Sequence, residues 1–599
     1  MTTIRIYLKH TRTILKKTWE VINDVINPKK IRPKISLTDE NGHKYSGNVV
    51  SRKFIEYFTN IGIKITAKFA KKNNRFKSYL TNRVVKDFQM TPITPIEVDS
   101  IIAGLKNNGN NPNLISTSVL KNSKDILTPI ICHLINLFVE QGYFPDNLKS
   151  GRITPIYKGG ERESINNYRP VCSLHPLSKI IEKVISNRMI DFLEEYNIFS
   201  DTQFGFRKSM GTETALINYI DFIQKQLNDK KYTISIFLDL SKAFDVISHN
   251  ILRTKLEHYG FRGHFLKFLT NFVNNREYFV HANGSNSNNK CVNIGVPQGS
   301  TLGPLLFLIY INDMKNCSDL IFLTQFADDS TATYSSEKLE QVLTNIELEF
   351  GKVLDWLTAN RLIINLSKTH FMLFTNLARP EYISITAKGQ TINEVKETKF
   401  LGIILDNKLK WNSHIEYISK KISKSISVLR LLKFTFPEKI LKNIYFSLIY
   451  PYYTYCNLVW GSTANIHLDL LIKLQKKAVR NICKARYLDH TQPLFDRLKL
   501  LQVDEIYRFN CAKFVYKCYN TSSLDNFKTQ LNTNSNFHNY NTRNKEYLRR
   551  PMVRLSQFHN SFLSSGIEIW NSLHDSIKNC PTLTSFKSLL KAYMLNNVR

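Results

Sequence analysis

The spacing of hydrophobic residues changes along the chain between a helical and a strand-like pattern. In the first 90 residues, apolar side chains fall on one helical face from Trp19 to Ile26 and again from Arg52 to Phe69. Polar breaks separate these segments. The pattern predicts short helices in an N-terminal extension.

Helix signals become stronger after residue 91. Thr94 precedes Pro95 and an apolar run at helical spacing, which is typical of a helix start. A second helix is predicted from Leu127 to Glu140, with Gly142 at its end. The apolar positions from Leu177 to Ile185 predict a helix with a face in the core.

Strand-like runs are found at three further places. The nearly unbroken apolar run Thr233–Leu240 includes Asp239 near its end and predicts a central strand covered on both faces. Two β-prone runs flank Asp328 and Asp329, which predicts a β-hairpin with both carboxylates at its turn. A third pair of runs predicts strands joined through a Gly-Gly turn, with Lys158 and Arg169 near the strand ends.

The charge of the chain limits its possible partners. There are 82 lysine and arginine residues against 49 acidic ones, a formal charge of +33, which indicates a polyanionic partner. A compositional bias towards Lys, Asn and Ile is an alternative source of part of this charge. The longest apolar run, Leu305–Ile311, is too short to span a bilayer, so nucleic acid is favoured over a membrane.

Length and cysteine usage add two limits. A chain of 599 residues is expected to form several domains. Its nine cysteines include no C-x-x-C pair, which argues against a zinc site or a disulfide framework. The basic N-terminus loosely suits a transit peptide, but it lacks the apolar core of a secretory signal. We expect a nuclear and cytoplasmic protein.

The acidic residues suggest a specific chemistry. Asp239 and the pair Asp328-Asp329 are far apart in sequence, and only the fold could bring them together. Three converging carboxylates suit two Mg²⁺ ions, which can activate an attacking hydroxyl and stabilise a leaving pyrophosphate. Lys158 as a point charge and Arg169 as a bidentate fork could hold a triphosphate.

Three motifs stand in order in the chain: Phe237–Asp245, Gly295–Leu305 and Phe326–Asp329. Together they resemble the palm of a reverse transcriptase of the non-LTR retrotransposon (LINE) type, nearest to the Jockey-like elements. The resemblance covers most of the chain. Further segments that resemble this family are Pro155–Lys158, Asn167–Pro170, Gln203–Arg207, Asn365–Thr369 and Phe400–Gly402.

The resemblance implies an α+β fold, a right-hand polymerase with an antiparallel palm sheet and a helical thumb and C-terminal region. The expected domains are an N-terminal helical extension similar to a post-endonuclease linker (1–90), fingers and palm (91–405), a helical thumb (406–500) and a basic C-terminal region (501–599). Basic residues of the thumb, among them Arg430 and Lys433, could follow a phosphate backbone.

The resemblance also implies roles for individual residues. Asp239, Leu240, Asp328 and Asp329 would bind two Mg²⁺ ions, for which Mn²⁺ could substitute. Phe244 would lie under the sugar of the nucleotide and exclude a 2′-hydroxyl.

The remaining roles concern the nucleotide and the nucleic acid. Lys158 and Arg169 would neutralise the triphosphate, and Lys368 is a candidate general acid for pyrophosphate. Gln298 and Gly299 would touch the nucleotide and the template base pair. The expected nucleic-acid contacts are Arg207, Phe400, Leu401 and Gly402.

The implied function is RNA-directed DNA polymerisation that copies element RNA into cDNA, primed from nicked target DNA. The partners would be an RNA template, a DNA primer or target, and deoxynucleoside triphosphates; the oligomeric state is left open. The family's upstream endonuclease is not recognised in this chain. An RNA-dependent RNA polymerase is disfavoured by Ala327 and Phe244. The remaining alternative is an inactive remnant that only binds nucleic acid.

Overall fold

The structure is a computed structural model, and it describes residues 34–69, 74–81, 83–106, 115–520, 524–537, 544–552, 554 and 561–597. The helix predicted from Trp19 to Ile26 lies outside these residues. Contacts divide the described chain into two compact units. The first unit contains residues 34–215 and 230–395, and the second contains residues 216–229 and those from 396 onward.

The first unit contains most of the strands. They are β1 (Leu37–Thr38), β2 (Lys44–Tyr45), β3 (Gly151–Tyr157), β4 (Tyr168–Leu174), β5 (Tyr232–Leu238), β6 (Arg276–Ala282), β7 (Ser285–Asn286), β8 (Lys290–Val292), β9 (Phe322–Phe326), β10 (Asp329–Ser336), β11 (His370–Phe374), β12 (Ser384–Ala387) and β13 (Gln390–Asn393). Its helices are α1 (Val49–Thr66), α2 (Pro95–Gly104), α3 (Thr117–Asn122), α4 (Lys124–Gln141), α5 (Pro176–Glu195), α7 (His249–His258), α8 (Gly263–Val273), α9 (Gly303–Ile311) and α10 (Leu339–Ala359). Helix α6 (Thr212–Asn228) crosses the sequence boundary between the units.

A four-stranded antiparallel sheet with the order β11-β5-β10-β9 forms the centre of the first unit. Residues 233–238 of β5 are all buried, as the unbroken apolar run predicted, although the strand ends at Leu238 rather than Leu240. Helix α10 packs against this sheet, and its residues Ile346, Phe350 and Trp356 belong to the same core as Ile234 and Ile236. The prediction of a central, covered strand is confirmed.

The second sheet of this unit has the order β4-β3-β6-β7, with β8 paired to β6. Strands β3 and β4 are antiparallel and β3 and β6 are parallel. Helix α1 packs against β6, because Val50, Phe54 and Phe58 share a buried cluster with Tyr168 and Tyr278.

This packing joins the described part of residues 1–90 to the remainder of the first unit. The described part also contains the β1–β2 hairpin, and it belongs to the same unit as the residues that follow. The predicted domain boundary at residue 90 stays a prediction.

The predicted helix ends agree with the structure. Thr94 accepts a hydrogen bond from the Glu97 N–H at the start of α2, and Pro95 is the first helical residue. Gly142 ends α4 in a left-handed conformation with φ +65°. A Cβ at this position would lie 2.9 Å from the His264 carbonyl oxygen, so both conformation and space favour glycine.

The second unit is mainly helical. It contains α11 (Asn412–Leu432), α12 (Glu438–Leu448), α13 (Tyr450–Thr454), α14 (Asn457–Trp460), α15 (Asn465–Ile482), α16 (Gln492–Leu498), α17 (Val503–Asn520), α18 (Asp525–Lys528), α19 (Phe562–Asn571), α20 (Asp575–Lys578) and α21 (Leu583–Asn597), together with the hairpin of β14 (Glu397–Phe400) and β15 (Ile403–Asp406). In the described part of the chain, no helix combines the length and apolar character needed to cross a membrane.

Candidate active site

A tight hairpin presents two of the predicted acidic residues. Strands β9 and β10 pair as far as Phe326 and Asp329, so Ala327 and Asp328 form the turn. Ala327 is buried and has φ +56°, and its N–H donates a 3.0 Å hydrogen bond to the Gln203 side chain. The predicted hairpin is confirmed, but only Asp328 lies in its turn, because Asp329 is the first residue of β10 and pairs with Phe326.

The segment that precedes α6 braces this turn. Gln203 Oε1 also accepts from the Gly205 N–H at 2.8 Å, and the Phe204 N–H donates to the Gln325 carbonyl at 2.8 Å. A Cβ on Gly205 would lie 2.6 Å from the Ala327 nitrogen, so a larger residue would push the turn away. The positive φ of Ala327 is thereby held in place by contacts from another segment.

The sheet register brings the third carboxylate to this hairpin. Leu238, the last residue of β5, lies opposite Ser330 of β10, so Asp239 follows the strand at the edge where the hairpin turns. Burial raises the pKa of Asp329 to about 6, and the nearby charges of Asp328 and Asp239 act in the same direction. Burial also raises the pKa of Asp328, with a further contribution from Asp239. The three carboxylates thus lie within electrostatic range of one another.

The donor types at this edge suit a hard divalent cation. Carboxylate oxygens are the ligands that Mg²⁺ prefers, and cations would offset the mutual repulsion that adds to the effect of burial on these pKa values. Leu240 pairs with Ile364 in an isolated β-bridge. The two hydrogen bonds of this bridge are formed by the Asp239 carbonyl and the Ser241 N–H, so the Leu240 carbonyl takes no part in them. Within the described residues, however, no group of three or more Asp, Glu, His or Cys side chains is close enough together to hold a metal ion.

Cations from two segments lie beside the carboxylates. Arg169 of β4 is opposite Ile156 of β3, and the Lys158 N–H donates to the Asn167 carbonyl just beyond these strands. Burial lowers the pKa of Lys158, with contributions from Arg169 and Lys368, while Asp239 and Asp328 act in the opposite direction. These side chains therefore belong to one electrostatic neighbourhood.

Lys368 reaches this neighbourhood through a loop that closes on Asp239. The Asn365 N–H donates to the Asp239 carbonyl at 2.7 Å, and the Asp239 N–H donates to the Thr369 hydroxyl at 3.3 Å. The Lys368 N–H donates to the Asn365 carbonyl within the same loop. The loop thus fixes the backbone of Lys368 next to that of Asp239.

Lys242 is a fourth cation that the sequence analysis did not select. Its backbone is left-handed, with φ +51°, and its ammonium lies 5.6 Å from the Tyr57 ring centroid. Burial lowers its pKa, and Lys158 and Arg169 act in the same direction. In the sequence, only its position in the motif after Asp239 pointed to a place near the carboxylates. The residue type gave no further signal, because a single lysine is usually a solvated surface group.

Phe244 and Gln298 are both held by specific contacts. The Phe244 ring stacks on Phe307, with centroids 4.5 Å apart and an interplanar angle of 21°. The Gln298 side-chain amide donates a 2.7 Å hydrogen bond to Asp245 Oδ1. The Gln298 carbonyl accepts at 2.7 Å from the N–H of Cys172.

Gly299 follows Gln298 where the loop crosses strand β4. It has φ +119°, and a Cβ there would overlap the Cys172 carbonyl oxygen. Glycine permits both this conformation and the close approach of the two backbones.

Glu182 is a second residue that the sequence analysis missed. It is fully buried on α5, and it accepts hydrogen bonds from the N–H groups of Thr301 (2.7 Å) and Leu302 (3.2 Å) and from the Ser178 hydroxyl (2.8 Å). It therefore caps the start of α9 and anchors the loop that carries Gln298. The sequence did contain a signal for this role, because Glu182 is a charged residue within the helix predicted from Leu177 to Ile185.

Arg207 has internal partners for its guanidinium. It forms a 2.7 Å ion pair with Glu194 and donates to the carbonyls of Ser200 and Gln203, and its side chain is only 12% exposed. These contacts favour a role in holding the segment that braces the Asp328 turn. Its direct contact with nucleic acid stays a prediction.

The Phe400–Gly402 segment is the turn of the β14–β15 hairpin in the second unit. Leu401 and Gly402 both have positive φ, +44° and +88°, as in a two-residue hairpin turn of type I′. Tyr455 donates to the Leu401 carbonyl at 2.7 Å, and the side chains of Phe400 and Leu401 are buried. Contact of these residues with nucleic acid also stays a prediction.

Comparisons with known proteins place the chain near one family of enzymes. Residues 156–405 match the family model for reverse transcriptase (RNA-dependent DNA polymerase). The chain is 28% identical over 431 residues to the probable RNA-directed DNA polymerase from transposon BS of Drosophila melanogaster, which covers 69% of this chain and 47% of the relative. The corresponding protein of the X-element from the same species is 29% identical, over 71% of this chain and 48% of the relative.

A further relative is the RNA-directed DNA polymerase from mobile element jockey of Drosophila funebris, 27% identical over 71% of this chain and 48% of the relative. The chain spans about half the length of these curated relatives. It carries a reverse transcriptase domain over residues 156–405 and is related to the reverse transcriptases of Jockey-like non-LTR retrotransposons.

Proposed function

We propose that this chain is an RNA-directed DNA polymerase that copies the RNA of a non-LTR retrotransposon into cDNA. The observation that carries the proposal is the group of Asp239, Asp328 and Asp329 beside Lys158 and Arg169 in the first unit. This arrangement suits a triphosphate whose α-phosphate faces the carboxylates and whose other phosphates face Lys158 and Arg169.

The reaction would be an in-line displacement. The 3′-hydroxyl oxygen of the primer forms a bond to the α-phosphorus of a deoxynucleoside triphosphate, and the bond from that phosphorus to the pyrophosphate oxygen breaks. Two Mg²⁺ ions, or Mn²⁺ in their place, would be held by Asp239, Asp328, Asp329 and the Leu240 carbonyl. When bound, these ions would favour deprotonation of the attacking hydroxyl and offset charge on the leaving pyrophosphate.

The cations and the loop around Gln298 would position the substrates. Lys158 and Arg169 bind the triphosphate, and Lys368 gives a proton to the departing pyrophosphate. Gln298 and Gly299 contact the nucleotide and its template base pair. Phe244 packs under the deoxyribose, where its ring leaves no room for a 2′-hydroxyl.

The proposal extends to the domains of the chain and to its nucleic-acid substrates. In this proposal residues 91–405 form fingers and palm, 406–500 the thumb and 501–599 a basic C-terminal region. The template is element RNA, and the primer is the 3′ end of nicked target DNA. The protein would be found in the nucleus and the cytoplasm.

Primer extension on an RNA template tests the proposal directly. The purified chain is compared with Asp328→Ala, with and without Mg²⁺, and with Asp319→Ala as a control that removes an exposed carboxylate nearby in sequence. We expect metal-dependent cDNA from the unchanged chain and from Asp319→Ala, and none from Asp328→Ala. Tight RNA binding without any product would instead favour a remnant that only binds nucleic acid.

A further inference from the structure

A basic cavity lies between helices α11 and α15 of the second unit. Its volume is about 420 Å³. Ile426 and Leu474 contribute apolar surface, and four cations line it, Arg430 and Lys433 from the α11 side and Lys477 and Arg480 from α15. Tyr487 completes the lining from the segment after α15.

The positive charge of this cavity is not balanced by its own walls. Its lining contains no Asp or Glu, and within the described part of the chain none of the four cations forms an ion pair with a carboxylate. Elsewhere in the same unit such pairs do form, as between Lys420 and Glu416. Four like charges around one cavity repel one another, and a bound polyanion would relieve that repulsion.

An exposed aromatic ring stands beside these cations. Tyr487 is 74% exposed, although an aromatic side chain of this size normally gains from burial. Its segment is tied to α15, because Arg480 Nε donates to the Asp489 carbonyl at 3.0 Å and Asp489 Oδ2 accepts from the Arg486 N–H at 2.7 Å. The turn therefore holds Tyr487 next to the cavity without covering its ring.

We propose that this cavity is a nucleic-acid site separate from the carboxylate site, and that it binds a single-stranded segment. One unpaired base stacks on Tyr487, while Arg430, Lys433, Lys477 and Arg480 contact the phosphates on either side. An exposed ring beside a row of cations is how sequence-tolerant single-strand sites are built. A duplex would satisfy the cations but would offer no free base face to the ring.

Fluorescence of a Tyr487→Trp variant reports on this site alone. The full chain is titrated with an unstructured oligouridylate, without Mg²⁺ or nucleotides, and the signal of the unsubstituted protein is subtracted. We expect quenching by oligouridylate and by oligodeoxythymidylate, and little by a blunt duplex. Equal quenching by the duplex, or no quenching by either single strand, would overturn the proposal.

Affinity measurements test the two parts of the site separately. Tyr487→Ala should weaken oligouridylate binding about tenfold. Tyr382→Ala, which removes a ring that is 87% exposed in the other unit, should leave it unchanged. An unchanged affinity in Tyr487→Ala would contradict stacking.

The salt dependence reports on the phosphate contacts. Each lost contact reduces the slope of log Kd against log salt by about 0.7 for single strands, so Lys433→Gln/Lys477→Gln should reduce it by about 1.4. The exposed pair Lys439→Gln/Lys587→Gln is the control of equal charge change. Polyglutamate is tested as a competitor of RNA. If it competes as well as RNA in all variants, the cavity attracts negative charge without recognising nucleotides, and the proposal is wrong. Binding is measured without catalysis, so this outcome is independent of primer extension.

Discussion

The Gln298 side-chain amide donates a 2.7 Å hydrogen bond to Asp245. This bond links the loop after β8 to the turn that carries Phe244. On its other side, the loop is joined to β4 by the bond from the Cys172 N–H to the Gln298 carbonyl. The residues proposed to meet the nucleotide sugar and the template base pair are thus fixed to one another before any substrate binds.

Gly299→Ala should disrupt this loop. Its φ of +119° is unfavourable for alanine, and the added Cβ would overlap the Cys172 carbonyl oxygen, which is a backbone atom. We expect loss of primer extension and a decrease of about 1–3 kcal/mol in the free energy of unfolding. Gly211→Ala, where nothing lies within 4 Å and φ is not positive, is the control and should retain both properties.

Phe244→Ala should weaken discrimination between deoxynucleotides and ribonucleotides. Removal of the ring opens the space that a 2′-hydroxyl would need. The measured quantity is the ratio of kcat/KM for a deoxynucleotide to that for the matching ribonucleotide, which we expect to fall by more than about tenfold. Loss of the stack on Phe307 destabilises the enzyme for both substrates alike, so it cancels in the ratio. An unchanged ratio would contradict the role of Phe244.

Glu182→Ala should destabilise the start of α9. Glu182 Oε2 accepts from the N–H groups of Thr301 and Leu302, and Oε1 accepts from the Ser178 hydroxyl, so alanine leaves buried donors without a partner. We expect the free energy of unfolding to fall by about 1–3 kcal/mol. Urea unfolding measures this change, and Glu195→Ala, at an exposed position of the same helix, should show almost none. Equal effects of the two substitutions would argue against the cap.

Local patterns predicted those parts of the first unit whose interactions are short in range. The strand that ends beside Asp239 and the hairpin of Asp328 could both be derived from apolar runs and turn residues. Glu182 could not be placed in the same way, because its partners at Thr301 and Leu302 are distant in sequence. Arg207 was selected from its motif alone, and only the fold reveals its partner Glu194. The packing of α1 on β6 likewise depends on contacts between distant segments.

Asp245→Asn should change the pH dependence of stability. Burial raises the pKa of Asp245 from its usual value of 3.8 to about 6, so the folded protein holds this proton more tightly than the unfolded chain. As the pH rises from about 4 to about 6, the unfolded state ionises first, and the free energy of unfolding falls by up to about 3 kcal/mol. Below this range both states are protonated, and above it the loss is complete.

Asparagine cannot ionise, yet it keeps an acceptor oxygen for Gln298. Asp245→Asn should therefore gain stability relative to the unsubstituted protein as the pH rises through this range, by up to about 3 kcal/mol. Urea midpoints of the two proteins at several pH values measure the difference, in which the titration of all other groups cancels. Asp319→Asn, at an exposed position, should show a difference that does not vary with pH. A constant difference for Asp245→Asn as well would mean that the pKa of Asp245 is the same in the folded and the unfolded protein, with Gln298 and Lys242 offsetting the effect of burial.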